Sequence, residues 1–492
     1  MGLASDLEAS LREFTGAATV EVRENGGRAV PFSTLSWEVR GAGEKPLLHL
    51  WSENYNVTRR VLAITDHSDQ RLALAVECFG RAKPERLEFV RVEVERSARL
   101  LSREEFCAGL SRILAEQFPD ETLESLTVSA DLEHSLSGNY VRGILRRGSL
   151  HWAVLAAPAG ESADTIENSL TFGLLWFDRT RQSSWRGTIA GVRLILPKGA
   201  RIVVGRRLAA LRSDLSIELY EQDPVNERLQ AIDPATLGNM DSRLVPYRET
   251  QLLLDQARTA LDSVVALSPQ NLSVHPVVPA REVWLRFRGF GVAKWGDGRI
   301  FFGAGDALEE LTEASRPRLQ RWLKELEFHR QPLATDTRHP LYRAQAERWL
   351  EAMVAQDITL IDAALDPRFA YTQVFAKSGG DHGILDVLGV TRSGRLVILE
   401  LKANEHIHLP LQAAAYWLGI RHHLEQGEFP RLGYFPGVTL QLKPPLVYLV
   451  APALRFHPAT DTLLRYLTPD LEIIRVGIAE SWRRGISVMT RQ

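Results

Sequence analysis

One stretch constrains this chain more than any other: residues 383–417, GILDVLGVTRSGRLVILELKANEHIHLPLQAAAYW. Its first half reads as a hairpin. Ile384–Val390 is an apolar run broken only by Asp386, Ser393-Gly394 is a turn signal, and Leu396–Leu401 is a second run rich in branched residues. Side chains alternate along a strand, so Glu400 and Lys402 share one face and Leu401 points to the other. Antiparallel pairing through the short turn brings Asp386 beside Glu400. A buried strand end carrying two carboxylates and an ammonium is costly to desolvate unless a cation or partner compensates. Oxygen donors of this kind suit Mg2+ or Mn2+. Such an ion acidifies water and polarises a phosphoryl oxygen, with Lys402 placed to orient the water or offset transition-state charge. Further on, Pro410 suits the first turn of a helix. Gln412 and Tyr416, four residues apart, project from one face of that helix, and His408 lies on the approach to it.

In their order, Asp386, Glu400-Leu401-Lys402 and Gln412-Ala-Ala-Ala-Tyr416 resemble the PD-(D/E)xK nuclease superfamily. The match is nearest to RecB-like nuclease domains and to the C-terminal domain of archaeal and actinobacterial mismatch endonucleases. It covers the last third of the chain and implies a restriction-endonuclease-like α/β domain, a central mixed sheet flanked by helices. It also implies a glutamate on a preceding helix and a glutamine on the first strand. Glu347, in Ala346-Glu347-Arg-Trp-Leu350-Glu351, and Gln373, in Tyr371-Thr-Gln373-Val, fill those places; Leu385-Asp386 stands where the family has Pro-Asp. On this resemblance Asp386, Glu400, Lys402 and Glu347 are catalytic. The ligands of Mg2+ (or Mn2+) are Asp386, Glu400, the Leu401 carbonyl and Glu347. Gln412, Tyr416, Gln373 and His408 support the strand or touch substrate. Glu351 shares a helix face with Glu347, and either acid has pairing with an arginine as its alternative. An isolated Glu-x-Lys is usually a solvated face or an ion pair, but apolar residues on both faces of this strand argue against an exposed edge.

The remaining chain is read around this domain. Its 492 residues suggest about three domains as a prior. The divisions drawn are 1–97, an N-terminal helix and antiparallel β domain (a small barrel or sandwich); 98–225, an α/β domain; 226–331, a helical and β-hairpin connector; and 332–492, the nuclease-like domain. Residues 102–223 repeat the C-terminal order of helix, strand, hairpin, helix, strand, helix, strand. Laying Arg147-Gly148-Ser149-Leu150 on Ser393-Gly394-Arg395-Leu396 puts Tyr140 at Asp386, Val154 at Glu400 and Ala156 at Lys402. Either the shared order is a coincidence of common elements or this is a degenerate copy that offers docking or grip without chemistry.

Smaller features carry less. Trp284, Arg286 and Arg288, with Lys294, Trp295 and Arg299, form the best basic–aromatic patch, set against a merely solvated arginine face. Asp306 with Glu309 reads as a helix capping box. Residues 427–437 read as a loop tipped by Arg431, Tyr434 and Phe435. His406, His408, His422 and His423 match no zinc spacing. No Gly-x-Ser-x-Gly elbow or Gly-x-x-x-x-Gly-Lys loop occurs.

Composition sets bounds. The formal charge is −2, so any nucleic-acid surface is a local patch. Cys78 and Cys107 make no metal or redox spacing, which suits a reducing cytoplasm. Met1–Phe14 is an amphipathic helix without the features of a secretion signal, and no run is long and apolar enough to span a bilayer. On the resemblance and the ordered Asp386, Glu400 and Lys402, the expected function is divalent-metal-dependent hydrolysis of the DNA backbone, in the cytoplasm. The alternatives are a catalytically inactive nucleic-acid-binding or assembly protein that keeps the fold, and an RNA-directed nuclease. The expected partner is nucleic acid, DNA ahead of RNA, with no membrane. A homodimer would serve for cutting two strands, and the internal copy offers a pseudo-dimer instead.

Overall fold

Leu396–Leu401 and Leu446–Pro452 are unbroken runs of buried residues, as strands covered on both faces must be. The computed structural model describes residues 3–15, 20–24, 30–32, 35–40, 45–51, 56–68, 71–77, 85–131, 133–183, 187–223, 228–237, 243–304, 307–372, 374–376 and 385–492. The chain is an α/β multi-domain protein with mixed and antiparallel sheets. It divides into two compact units. One is Met1–Arg99 with Glu249–Met353 and Arg483–Gly485; the other is Leu100–Arg248 with Val354–Trp482 and Ile486–Gln492. Residues 332–353, grouped by sequence with the C-terminal domain, cluster with the first unit. Among the described residues no helix is long and apolar enough to cross a membrane.

Among the described residues the first unit contains two antiparallel sheets. Strands Ser36–Arg40, Leu47–Trp51, Asn56–His67, Arg71–Glu77 and Glu85–Arg91 meander in sequence, and Val20–Glu24 and Val30–Pro31 extend the last of them. Among the described residues this is one open seven-stranded sheet rather than the expected barrel or sandwich. Leu7, Leu11 and Phe14 of helix Leu3–Thr15 fall on one helical stripe and pack in its core; each contributes about 1.5–3 kcal/mol on burial.

The second sheet is a five-stranded meander: Leu272–Val277, Glu282–Phe287, Phe290–Gly296, Arg299–Ala304 and Ala307–Glu310. Val283, Leu285 and Phe287 alternate into a core with Leu253, Ala257 and Leu261 of helix Tyr247–Val265 and with Leu319 and Leu323 of helix Arg316–His329. The helix carrying Leu253 begins after Pro246 rather than at Leu244. Ala307–Glu310 pairs as an edge strand and does not open a helix; Asp306 of the expected capping box lies outside the described residues. On the other face, Arg286 is only 7% exposed and lies 3.7 Å from Glu351. Lys294 pairs with Glu282 at 2.5 Å and Arg299 with Glu310 at 3.7 Å. The basic–aromatic patch is thus largely neutralised within its own unit.

Among the described residues the second unit contains two six-stranded sheets and a two-stranded pairing of Arg243–Leu244 with Phe375–Ala376. In the N-terminal half the strands are β1 (Thr122–Thr127), β2 (Val141–Arg147), β3 (Leu150–Ala156), β4 (Thr188–Pro197), β5 (Ile217–Asp223) and β6 (Arg228–Ile232). In the C-terminal half they are β7 (Leu365–Tyr371), β8 (Val387–Thr391), β9 (Leu396–Leu401), β10 (Leu446–Pro452), β11 (Ile473–Ile478) and β12 (Val488–Arg491). Each sheet runs in sequence order, with its third, fourth and fifth strands parallel and the other neighbours antiparallel. Helices α1 (Ser169–Gln182) and α2 (Arg201–Arg207) of the first half correspond in order to α3 (Leu409–Glu425) and α4 (Thr460–Leu464) of the second. One continuous core joins both halves.

The pairings correct the sequence alignment of the halves, by two residues on the first hairpin strand and by one on the second. Arg147 faces Leu150 across a two-residue turn at Gly148, whose φ is +62°. In the other hairpin Val390 faces Leu396 and the Thr391 N–H donates to the Arg395 carbonyl, which leaves three residues in a turn containing Gly394 at φ +91°. Both turns use glycine where a side chain would be strained. Matched by pairing, Asp386 corresponds to Arg142, Glu400 to Leu155 and Lys402 to Ala157. The parallel neighbours agree: the Ala157 N–H donates to Ile195 O and the Lys402 N–H to Val450 O. Val154, matched to Glu400 by sequence, instead faces a separate core, because a one-residue slip reverses every side chain.

Candidate active site

The site grows from the β8–β9 hairpin. Val387 pairs with Leu399, and one step further along this register sets Asp386 opposite Glu400. The Leu401 N–H donates to Asp386 Oδ2 at 2.8 Å. Glu400 is 0% exposed and Lys402 7% exposed, and Lys402 Nζ donates to Glu400 Oε1 at 3.2 Å. Asp386 is half-buried, so the acidic cluster has one side toward solvent.

These charges are a poor way to stabilise a sheet. A buried ion pair gains little over an apolar pair of similar size, because desolvation offsets the Coulomb attraction. The chain supplies its own comparison: the sister sheet has the same topology with Leu155 and Ala157 at the equivalent positions, both buried.

Helix α3 adds Gln412 and Tyr416. Gln412 Nε2 donates to the Tyr416 hydroxyl at 3.3 Å. His408, immediately before the helix, turns toward the other half of the unit. Its Nδ1 lies 2.9 Å from Thr171 Oγ1 and its ring meets Phe172 edge-on. Burial, with Lys402 and His457 nearby, holds the His406 pKa down at about 4. Burial, with His406, Arg207 and His457 nearby, holds that of His408 at about 3. Both are neutral at neutral pH. An unfolded histidine takes up a proton near pH 6.5, whereas these do so only far lower. The stability they contribute is therefore complete above about pH 6.5 and drains away as pH falls toward about 3. Urea midpoints should fall through this window, and less steeply in His408→Asn; an identical pH dependence in the variant would contradict this assignment.

Glu347 is half-buried in the first turn of helix Ala346–Gln356 and is grouped with the first unit. Glu351 is buried, 3.7 Å from Arg286 and 3.8 Å from Arg348. Burial raises its pKa against the pull of both arginines. Gln373 lies outside the described residues. Tyr434 and Phe435, read as part of a loop tip, are buried: the Tyr434 hydroxyl donates to Val245 O at 2.6 Å, and the Phe435 N–H donates to Tyr371 Oη at 3.1 Å. Sequence reasoning missed this aromatic clasp, although three aromatics at Tyr371, Tyr434 and Phe435 were its signal.

A Ser–His contact in the first unit is not a nucleophile and base. Arg286 Nη1, which can only donate, is 3.5 Å from His275 Nδ1. The proton therefore sits on Nε2, which donates to Ser273 Oγ at 2.8 Å. A cavity of about 590 Å³ opens at the C-terminal ends of β3–β5, lined by Phe106, Ile166, Pro197, Lys198 and Val203 among others, and includes none of the acidic-site residues. Among the described residues, no group of three or more His, Cys, Asp or Glu side chains is gathered to hold a metal. No protein-family profile matches the chain, and no curated protein matches its sequence.

Proposed function

We propose that the C-terminal half of the second unit is a PD-(D/E)xK-type nuclease that hydrolyses the DNA backbone with a divalent metal ion. The observation that carries this reading is the buried Glu400–Lys402 pair beside Asp386, at positions where an equivalent sheet is built with Leu155 and Ala157. Groups that the fold does not require, and that cost desolvation, point to chemistry. Two carboxylates and the Leu401 carbonyl suit Mg2+ or Mn2+, which keep several waters and take few protein ligands. Glu347 remains an additional ligand on the resemblance alone.

When bound, the ion supplies Lewis-acid polarisation of the phosphoryl group and acidification of water. Asp386 is oriented by the Leu401 N–H, and Glu400 holds the Lys402 ammonium at the strand end. There the ammonium can offset charge that develops on a phosphoryl group. Gln412 restrains Tyr416 on the adjoining helix.

Purified protein incubated with single- and double-stranded DNA should cleave with Mg2+ or Mn2+ and stop on chelation. Cleavage unaffected by chelation would overturn the metal assignment. Metal-independent binding without cleavage would favour the inactive binding protein, and preferential cutting of RNA would redirect the substrate.

A further inference from the structure

We infer that the chain acts as a one-site pseudo-dimer that cuts a single strand per encounter, an inference that rests on the nuclease reading above. The two halves of the second unit meet about an internal pseudo-twofold. Leu211 and Leu467 form an antiparallel bridge. They precede the equivalent residues Leu219 and Arg475 by the same number of residues, so each is the other's counterpart. The flanking bonds are reciprocal: the Arg212 N–H donates to Tyr466 O at 3.0 Å, and the Thr468 N–H to Ala210 O at 2.8 Å. The helices repeat the exchange, with α1 packing against α4 and α3 against α2. Such mutual contact of equivalent patches is the mark of a twofold interface.

That symmetry has two consequences. First, the face through which two copies of the C-terminal half would pair in this way is already used within one chain. Second, the paired half lacks the groups for chemistry. Where the C-terminal half has Asp386, Glu400 and Lys402, it has Arg142, Leu155 and Ala157. Arg142 is 3% exposed, donates to Ser129 O and lies 5.4 Å from the Trp176 ring centroid. A buried guanidinium at a ligand position repels a divalent cation. One chain therefore brings one cutting site to a duplex, and the second strand must await a separate encounter.

The test uses the full-length protein with Mg2+ or Mn2+, a supercoiled plasmid and a single-stranded DNA circle. The expected result is open-circular plasmid accumulating before linear DNA, or cutting of the single-stranded circle alone, with an initial rate first order in protein. Linear DNA appearing from the outset at the rate of nicking, or a rate rising with the square of protein concentration, would overturn the inference while leaving the nuclease reading intact. No product from either DNA would instead overturn the DNA-nuclease reading, and this inference with it.

Discussion

Asp386→Asn is expected to lower metal-dependent cleavage roughly 10³-fold, the scale at which a single electrostatic group matters in a desolvated site, while leaving the fold intact. The carboxamide keeps an oxygen to accept from the Leu401 N–H, now at 2.8 Å from Asp386 Oδ2, but removes the charge proposed to hold the ion. Lys402→Met should also reduce cleavage. It keeps the buried stem and the main-chain bond to Val450 but removes the ammonium that pairs with Glu400, so it should cost some stability as well. Rates and thermal unfolding measured together separate the two effects. Cleavage by Asp386→Asn at the wild-type rate would show that the carboxylate is not part of the chemistry.

The largest structural effect is expected at Arg330. Its side chain is 0% exposed and donates to the carbonyls of Arg288, Leu341, Ala344 and Gln345. It also lies 4.6 Å from the Trp349 ring centroid. Burial, with Arg483 and Arg288 nearby, lowers its pKa to about 9, so it remains charged at neutral pH. Arg330→Met removes the donors and leaves several carbonyls unsatisfied, for an expected loss of about 3–5 kcal/mol. Arg330→Lys should recover only part of this, because an ammonium lacks the planar fork that reaches divergent acceptors. Urea unfolding should show the loss in the transition of the first unit; a shift within error of wild type would contradict this role.

The contrast between these residues explains what was legible in the sequence. The β8–β9 hairpin was readable because two apolar runs, a Ser-Gly turn and period-two alternation all agree on one local structure. Repetition of the two halves was readable in element order. Their register was not, because the turns at Gly148 and Gly394 differ by one residue, and that difference appears only in the pairing. Arg330 directly follows helix Arg316–His329, and Arg286 alternates with core residues as a solvated arginine would. Their burial depends on distant backbone and carboxylate partners that no local pattern records. Ala307–Glu310 similarly resembled a helix start because edge strands tolerate polar residues.

The central claim is that Asp386 and Glu400 together hold one divalent ion. Titrating the full-length protein with Mn2+, with free ion followed by electron paramagnetic resonance, tests it without requiring a substrate. A saturable site is expected in the wild type and is lost in the folded Asp386→Asn and Glu400→Gln variants. Equal Mn2+ binding by wild type and both variants would contradict it.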